Sequence, residues 1–285
     1  MPTDDPFHDH FTIIVYTVLA GFPQSNKRTQ TMKTHLTLAI IAIASFANAD
    51  FVYNEFSSPA DLQLNGTAAT FGSVLRMTEA DVSGQTATAW HTNLQDLSNG
   101  FAVVAVFNGN GTSDLGNWGP NSGADGLAFA FQSDSTTAIG NGGGDNGIGG
   151  IANMVAISYR TFWNDIKLIT TDSNGDIVDE LTWNYNFDDN INYALAATWN
   201  PNSTTWNIFA GLTQNGLSLV GSANLDTSSY FANPVYAGLG SGTGGADNNN
   251  DVLAWSVTAE AVPEPATMTI LGLAAIAALR KKRNA

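Results

Sequence analysis

Residues 124–132 read Ala-Asp-Gly-Leu-Ala-Phe-Ala-Phe-Gln, and the apolar and aromatic run from Leu127 to Gln132 predicts a short β-strand. Similar runs recur along the chain, separated by clusters of Gly, Asn, Asp and Ser that are typical of turns. The other predicted strands are 51–53, 62–64, 74–78, 101–107, 154–159, 166–170, 177–183, 193–199, 206–212, 235–239 and 253–258. No stretch of about 11 or more residues has helical periodicity with caps, apart from the two ends of the chain. The pattern predicts an all-β protein, either a β-sandwich or a jelly roll.

One hairpin can be located from the sequence. In residues 193–199 the larger side chains occupy every second position, which places one face of a strand on a core. Residues 206–212 show the same alternation less cleanly, and residues 200–204 between them read Asn-Pro-Asn-Ser-Thr, a composition typical of hairpin loops. We therefore expect two antiparallel strands here.

Five blocks of sequence, in order, resemble the L-type (legume-type) lectins. Residues 124–132 resemble the strand A-D-G-[LI]-A-F-x-[LFI]-Q of that family. The other four are residues 142–151, similar to its Gly-Gly-x-Leu-Gly loop; 153–157, similar to N-S-V-A-V; 236–244, similar to Y-V-G-F-S-A-x-T-G; and 251–257, similar to H-x-V-L-S-W-S-F. The resemblance implies a concanavalin-like jelly-roll β-sandwich, in which two antiparallel sheets pack face to face.

The same resemblance implies a shallow sugar site built by loops at one end of the sandwich. Its acceptor would be an aspartate that follows a cis peptide bond, and its second loop would offer a backbone N–H. An asparagine with a neighbouring aromatic ring and a fourth, specificity-setting loop would complete it. The matching positions are Asp125; Gly143 or Gly144; Asn164 with Phe162 or Trp163; and the loop Gly244 to Asn250, which includes Gly245.

The chain departs from the family at the metal site. Where the family has V-A-V-E-F-D-T, residues 155–161 read Val-Ala-Ile-Ser-Tyr-Arg-Thr, so Ser158 and Arg160 replace two acidic ligands. The expected histidine is also absent after Asp165, and Ca²⁺ needs several anionic or carbonyl oxygens. We therefore expect no cofactor, with residues 247–251 as the one place for weak calcium binding.

One hypothesis makes Arg160 a calcium surrogate. Its guanidinium fork would hold Asp125 and the Asn164 loop through charge-assisted hydrogen bonds. The alternative is that the chain keeps the lectin sandwich as a structural surface or matrix protein and has lost sugar binding.

Composition restricts the partners. Residues 50–261 contain 21 acidic and three basic residues, a charge of about −18, and the whole chain has no cysteine. Because nucleic-acid binding depends on Lys and Arg neutralising phosphates, nucleic acid is excluded as a partner. Neutral sugars, as glycans or exopolysaccharide, are compatible with this surface. The single histidine of the segment, His91, lies beside a tryptophan and is interpreted as structural.

A glycoside hydrolase is the less favoured alternative. Such enzymes place two carboxylates across the scissile bond, ~5–9.5 Å apart. In residues 50–261 only Glu79 has an aspartate two positions away, Asp81, and no Glu-x-Asp-x-x-Glu strand pattern occurs. The adjacent Asp179 and Glu180 would point to opposite faces of a strand. We therefore expect a protein that is not an enzyme.

The N-terminal 49 residues are interpreted as absent from the mature protein. Met32 and Lys33 open a charged region, residues 36–46 are apolar, and residues 47–49 read Ala-Asn-Ala, the pattern of a signal peptide over residues 32–49. Met32 is then the true start, and the alternative is a genuine extension of residues 1–31. The mature lectin-like domain would cover residues 50–261.

Residues 262–285 resemble the PEP-CTERM sorting signal of exported proteins of Gram-negative bacteria, which an exosortase is thought to process. The signal has three parts: Pro263, Glu264 and Pro265; the apolar run 266–279, expected to be a short helix; and Arg280, Lys281, Lys282 and Arg283. As a helix the run is ~21 Å long, against ~30 Å for a membrane core. An ordinary membrane anchor is the alternative. Either reading places the protein outside the cytoplasm, at the cell surface or in the extracellular matrix, with transient contact with the inner membrane.

Overall fold

The computed structural model describes residues 50–110, 123–188 and 190–259. Within these ranges the chain forms fifteen β-strands and one short 3₁₀ turn, Gly143–Asp145. The strands are β1 (Phe51–Tyr53), β2 (Leu62–Gly66), β3 (Ala69–Phe71), β4 (Val74–Thr78), β5 (Thr86–His91), β6 (Phe101–Asn110), β7 (Gly126–Gln132), β8 (Val155–Arg160), β9 (Asp165–Thr171), β10 (Ile177–Asn184), β11 (Asn192–Asn200), β12 (Thr205–Leu212), β13 (Ser218–Asn224), β14 (Tyr236–Gly242) and β15 (Asn249–Ala259).

The strands form two antiparallel sheets. One has eight strands in the order β13-β12-β11-β6-β15-β4-β3, with β1 also paired to β15. The other has seven, in the order β10-β9-β8-β7-β14-β5-β2. The all-β jelly-roll sandwich expected from the sequence is thereby confirmed. The signal peptide and the sorting tail, including its expected helix, lie outside the described residues.

The core lies between the two sheets. Alternate residues of β6, such as Phe101 and Phe107, are buried there and face Phe129 and Phe131 of β7. The ring of Phe101 lies 4.6 Å from that of Phe131, in the tilted arrangement that aromatic pairs favour. Each such side chain contributes ~1.5–3 kcal/mol when it is fully buried. A domain without disulfides therefore has a large aromatic core as its source of stability.

Most strands fall where the residue pattern predicts them, and the hairpin of β11 and β12 is confirmed, with Ala196 opposite Phe209. Strands β3, β5 and β13 were not predicted. The ring of His91, in β5, stacks on Phe51 at 4.2 Å and is 6% exposed, as expected of a structural histidine. In the described residues, no helix has the length and apolar character needed to cross a membrane.

Candidate functional site

The antiparallel pairing brings four loops to one end of the seven-stranded sheet. β7 begins at Gly126, where its neighbours β8 and β14 end at Arg160 and Gly242. The segments beyond these strand ends, together with the 3₁₀ turn Gly143–Asp145, therefore meet around Asp125.

Asp125 lies at the centre of this end of the molecule. The peptide bond between Ala124 and Asp125 is cis, as the resemblance implied. The backbone of Asp125 is fixed on both sides: its N–H donates to Gly242 O at 2.9 Å, and its carbonyl accepts from Thr161 N at 2.9 Å. The carboxylate is therefore held on a rigid base.

The carboxyl group of Asp125 is buried, yet one of its oxygens is unused. The residue is 3% exposed, and Oδ2 accepts no hydrogen bond. Burial raises the pKa of this carboxyl to about 7, a rise that the Gly244 N–H and the charge of Arg160 oppose and that Asp145 increases. Because a buried acceptor without a donor is costly, this oxygen is a strong candidate for binding a ligand.

Two glycine backbones flank this free oxygen. A Cβ added to Gly244 would lie 3.5 Å from Oδ2 of Asp125, and one added to Gly143 would lie 3.8 Å from it. Each of these Cβ positions is 3.9 Å from the Cα of the other glycine. The two glycines therefore leave space beside the carboxylate, while Gly245 next to them faces open space.

An aromatic ring lies beside the same loops. Trp163 is 47% exposed, and its ring packs so closely over Gly144 that a Cβ there would lie 2.5 Å from it. The ring of Phe162 meets Trp163 edge-on at 4.9 Å. Of the two aromatic candidates, Trp163 is the more exposed.

Asn164 is held in place by two backbone N–H groups that donate to its side-chain and main-chain carbonyl oxygens. It has a φ of +54°, its side-chain Oδ1 accepts from Phe187 N at 2.7 Å, and its backbone carbonyl accepts from Tyr185 N at 2.9 Å. Since Oδ1 is engaged in this way, the group that this side chain would offer to a ligand is the Nδ2 donor.

Arg160 holds a different partner from the one expected. Its fork donates to both oxygens of Asp165, at 2.6 and 2.5 Å, and its guanidinium lies 4.8 Å from the centre of the Trp163 ring. The expected hydrogen bond from Arg160 to Asp125 is not formed. Arg160 affects that carboxylate only through its charge. The strand register explains this, because Arg160 and Asp165 are directly opposite each other in β8 and β9.

Ser158, which by the resemblance stands where the family has an acidic ligand, is paired with a neutral side chain. The Oγ of Ser158 accepts from Asn146 Nδ2 at 2.9 Å, and both residues are buried. Within the described ranges, no group of three or more His, Cys, Asp or Glu residues could hold a metal ion. In the segment 247–251, the two aspartates bond to different partners. Asp247 accepts a hydrogen bond from Asp81 N at 2.7 Å, and Asp251 forms an ion pair with Arg76 at 2.8 Å.

One wall of the site was missed in the sequence. The loop between β4 and β5 joins the Gly244 loop through Gly84 N, which donates to Gly244 O at 3.1 Å, and through Gln85 N, which donates to Thr243 Oγ1 at 2.9 Å. Val82 in this loop is 44% exposed. The available sequence signal was the dipeptide Ser83-Gly84, which is typical of a turn. In the structure Gly84 has a φ of +69°, which a glycine adopts readily.

Comparisons with known proteins identify two matching regions of the chain. The model of the legume lectin domain matches residues 48–271, and that of the PEP-CTERM protein-sorting motif matches residues 261–283. The chain belongs to the legume lectin domain family. It carries a PEP-CTERM motif at its C-terminal end.

Solved lectin structures share the fold. The acidic lectin of winged bean, in complex with methyl-α-D-galactose, is 20% identical with a TM-score of 0.62, over 73% of this chain and 96% of the lectin. Lectin II of Ulex europaeus is 15% identical (TM-score 0.60; 74% and 99% covered), and arcelin-5, a lectin-like defence protein of Phaseolus vulgaris, is 18% identical (TM-score 0.59; 74% and 98%). No curated protein matches the chain.

Proposed function

We propose that this protein is an exported, non-catalytic, carbohydrate-binding protein whose sugar site is centred on Asp125. The observation that carries the proposal is the buried, unpartnered Oδ2 of Asp125 between the backbones of Gly143 and Gly244. A neutral sugar has hydroxyl groups that can donate to this oxygen, and charge on the sugar is not required.

The surrounding groups complete the chemistry of a sugar site. The backbone N–H of Gly143 and the Nδ2 of Asn164 would be further donors to sugar hydroxyls, and the Trp163 ring would offer an apolar face to the sugar ring. The Arg160–Asp165 pair supports the loop between β8 and β9 without a metal ion. Arg160 in this way takes over part of the calcium's role, by fixing Asn164 through its neighbour Asp165 and by adding positive charge near Asp125.

The sorting motif supports export and processing. We infer that the mature domain begins near Asp50 and ends near Ala261, and that an exosortase acts on the tail during transient contact with the inner membrane. A Gram-negative cell surface or extracellular matrix, rich in exopolysaccharide, is then the site of action. Mass spectrometry of the exported protein should find an N-terminus near Asp50, and an intact 285-residue chain in the cytoplasm would contradict this.

The second candidate is a structural matrix protein that keeps the sandwich without binding sugar. The replacement of two acidic metal ligands by Ser158 and Arg160 favours it. Catalysis is disfavoured because Asp179 and Glu180 each bond to a neighbouring strand, to Thr170 at 2.8 Å and to Lys167 at 2.6 Å.

A glycan array with and without chelator separates the candidates. The sugar-binding proposal predicts at least one glycan bound equally well in EDTA, and loss of that signal in Asp125→Asn. Asp134→Asn, which changes a carboxylate away from the four loops, is the matched control. An array without any signal would favour the structural protein, and release of shortened glycans would indicate a hydrolase.

A further inference from the structure

The eight-stranded sheet carries apolar residues on its outer side as well as on its core side. In β6, residues Ala102, Val104 and Val106 alternate with the core residues and therefore point away from the second sheet. Ala102 and Val104 form a cluster, here called the outer patch, with Ala194 and Ala196 of β11, Phe209 of β12 and Leu217, which directly precedes β13.

The composition and burial of the outer patch are those of a covered surface. A sheet with one solvated face alternates apolar and polar residues, whereas strands that are apolar on both faces are typical of sheets covered on both sides. Val104 is 5% exposed and Ala196 is not exposed, although the other described sheet lies on the opposite side. Three of the six patch residues are alanines, whose small side chains allow a helix to pack closely.

The end of the described chain places one candidate next to this patch. Strand β15 pairs with β6 in the same sheet, and its last residue, Ala259, lies opposite Phe101. Residues 260–265 then connect directly to the apolar run 266–279. As a helix this run is ~21 Å long, and the seven steps from Phe101 to Asn108 along β6 span ~23 Å.

The opposite charges of the tail and the domain favour placing the tail along β6. The run 266–279 is followed by Arg280, Lys281, Lys282 and Arg283, whereas residues 50–261 have 21 acidic and three basic residues. A tail that folds back along β6 would therefore bring a basic cluster onto an acidic domain.

We propose that the apolar part of the sorting tail, residues 266–279, docks on the outer patch of the lectin domain whenever it is not in a membrane. The proposal is independent of sugar binding. Its consequence is that removal of the tail uncovers an apolar face, so that processing changes the surface that the protein presents.

A single-cysteine experiment tests the docking, because the chain has no cysteine of its own. The reporter is Val104→Cys in the full chain, with Ala196→Cys as a second, smaller change in case the first does not fold. Thr182→Cys on exposed β10 serves as the accessible control. Maleimide labelling in detergent-free buffer should be slow at the two patch positions and fast at the control.

Labelling is then repeated on reporter chains that also carry both Leu271→Glu and Ile276→Glu in the tail. Because labelling follows the open population, the reporter on the patch should react about tenfold or more faster when the docked tail is lost. The matched tail control is Thr267→Glu with Thr269→Glu, which adds the same charge at polar positions and should leave labelling slow. Fast labelling in the parent chain would overturn the proposal. Equally slow labelling in the Leu271→Glu, Ile276→Glu chain would also overturn it, since another segment or a second copy would then cover the patch.

Discussion

Replacing Asp125 with asparagine should weaken sugar binding and at the same time stabilise the fold at alkaline pH. The pKa of this carboxyl rises from its ordinary value of 3.8 to about 7 because it is buried. This is about three pKa units at ~1.36 kcal/mol each, so ionising the group in the folded protein costs on the order of 4 kcal/mol. An asparagine side chain at this position would keep the volume and remove this cost.

The sign of the pH dependence follows from proton binding. Between about pH 4 and pH 7 the folded protein keeps a proton on Asp125 that the unfolded chain has released, so this group's contribution to stability falls as the pH rises through that window. The stability of Asp125→Asn relative to the parent should therefore increase from about pH 4.5 to about pH 8, by up to about 4 kcal/mol. Urea unfolding at the two pH values measures the difference.

Sugar affinity should show the opposite effect of the same substitution. A charged acceptor contributes ~1.5–3 kcal/mol to a hydrogen bond, so titration calorimetry at about pH 8 against a glycan-array hit should show a loss of about ten- to a hundredfold. The parent should also bind more weakly below about pH 7, where Asp125 is protonated. The matched control is Asp145→Asn, which removes an exposed charge nearby and should give no comparable gain in stability. A variant of Asp125 that is less stable at alkaline pH, or that binds normally, would refute the reasoning.

Three other perturbations test the site. Arg160→Lys should lower the free energy of unfolding by about 1–3 kcal/mol, because Lys cannot form the two-point bond to Asp165, and it should unfold at lower urea than the parent. Gly144→Ala should displace the Trp163 ring, because its Cβ would lie 2.5 Å from that ring, and calorimetry should show weaker sugar binding. EDTA should leave the melting temperature and the glycan-array signal unchanged, and a large drop in either would reveal an ion that supports the fold.

The residue pattern predicted strands best where alternation is clear. The hairpin of β11 and β12 was found because large side chains in residues 193–199 occupy every second position. By contrast, β5 reads Thr-Ala-Thr-Ala-Trp-His and β13 reads Ser-Leu-Val-Gly-Ser-Ala-Asn, and neither has a strong intrinsic strand pattern. These segments are strands because they pair with neighbours, β5 with β14 and β2 and β13 with β12. Pairing between segments is not determined by a local residue pattern.

The sequence by itself determined the fold family, the replacement of the metal ligands and the identity of the central carboxylate, because each depends on which residue stands at a given place in a motif. The tertiary structure decided which partners those residues take. Arg160 bonds to Asp165 and not to Asp125 because the register of β8 and β9 places the two side chains opposite each other. The free Oδ2 of Asp125 likewise depends on how the segments beyond three strand ends meet the 3₁₀ turn Gly143–Asp145. Burial and hydrogen-bond distance arise only when segments far apart in the chain are packed together.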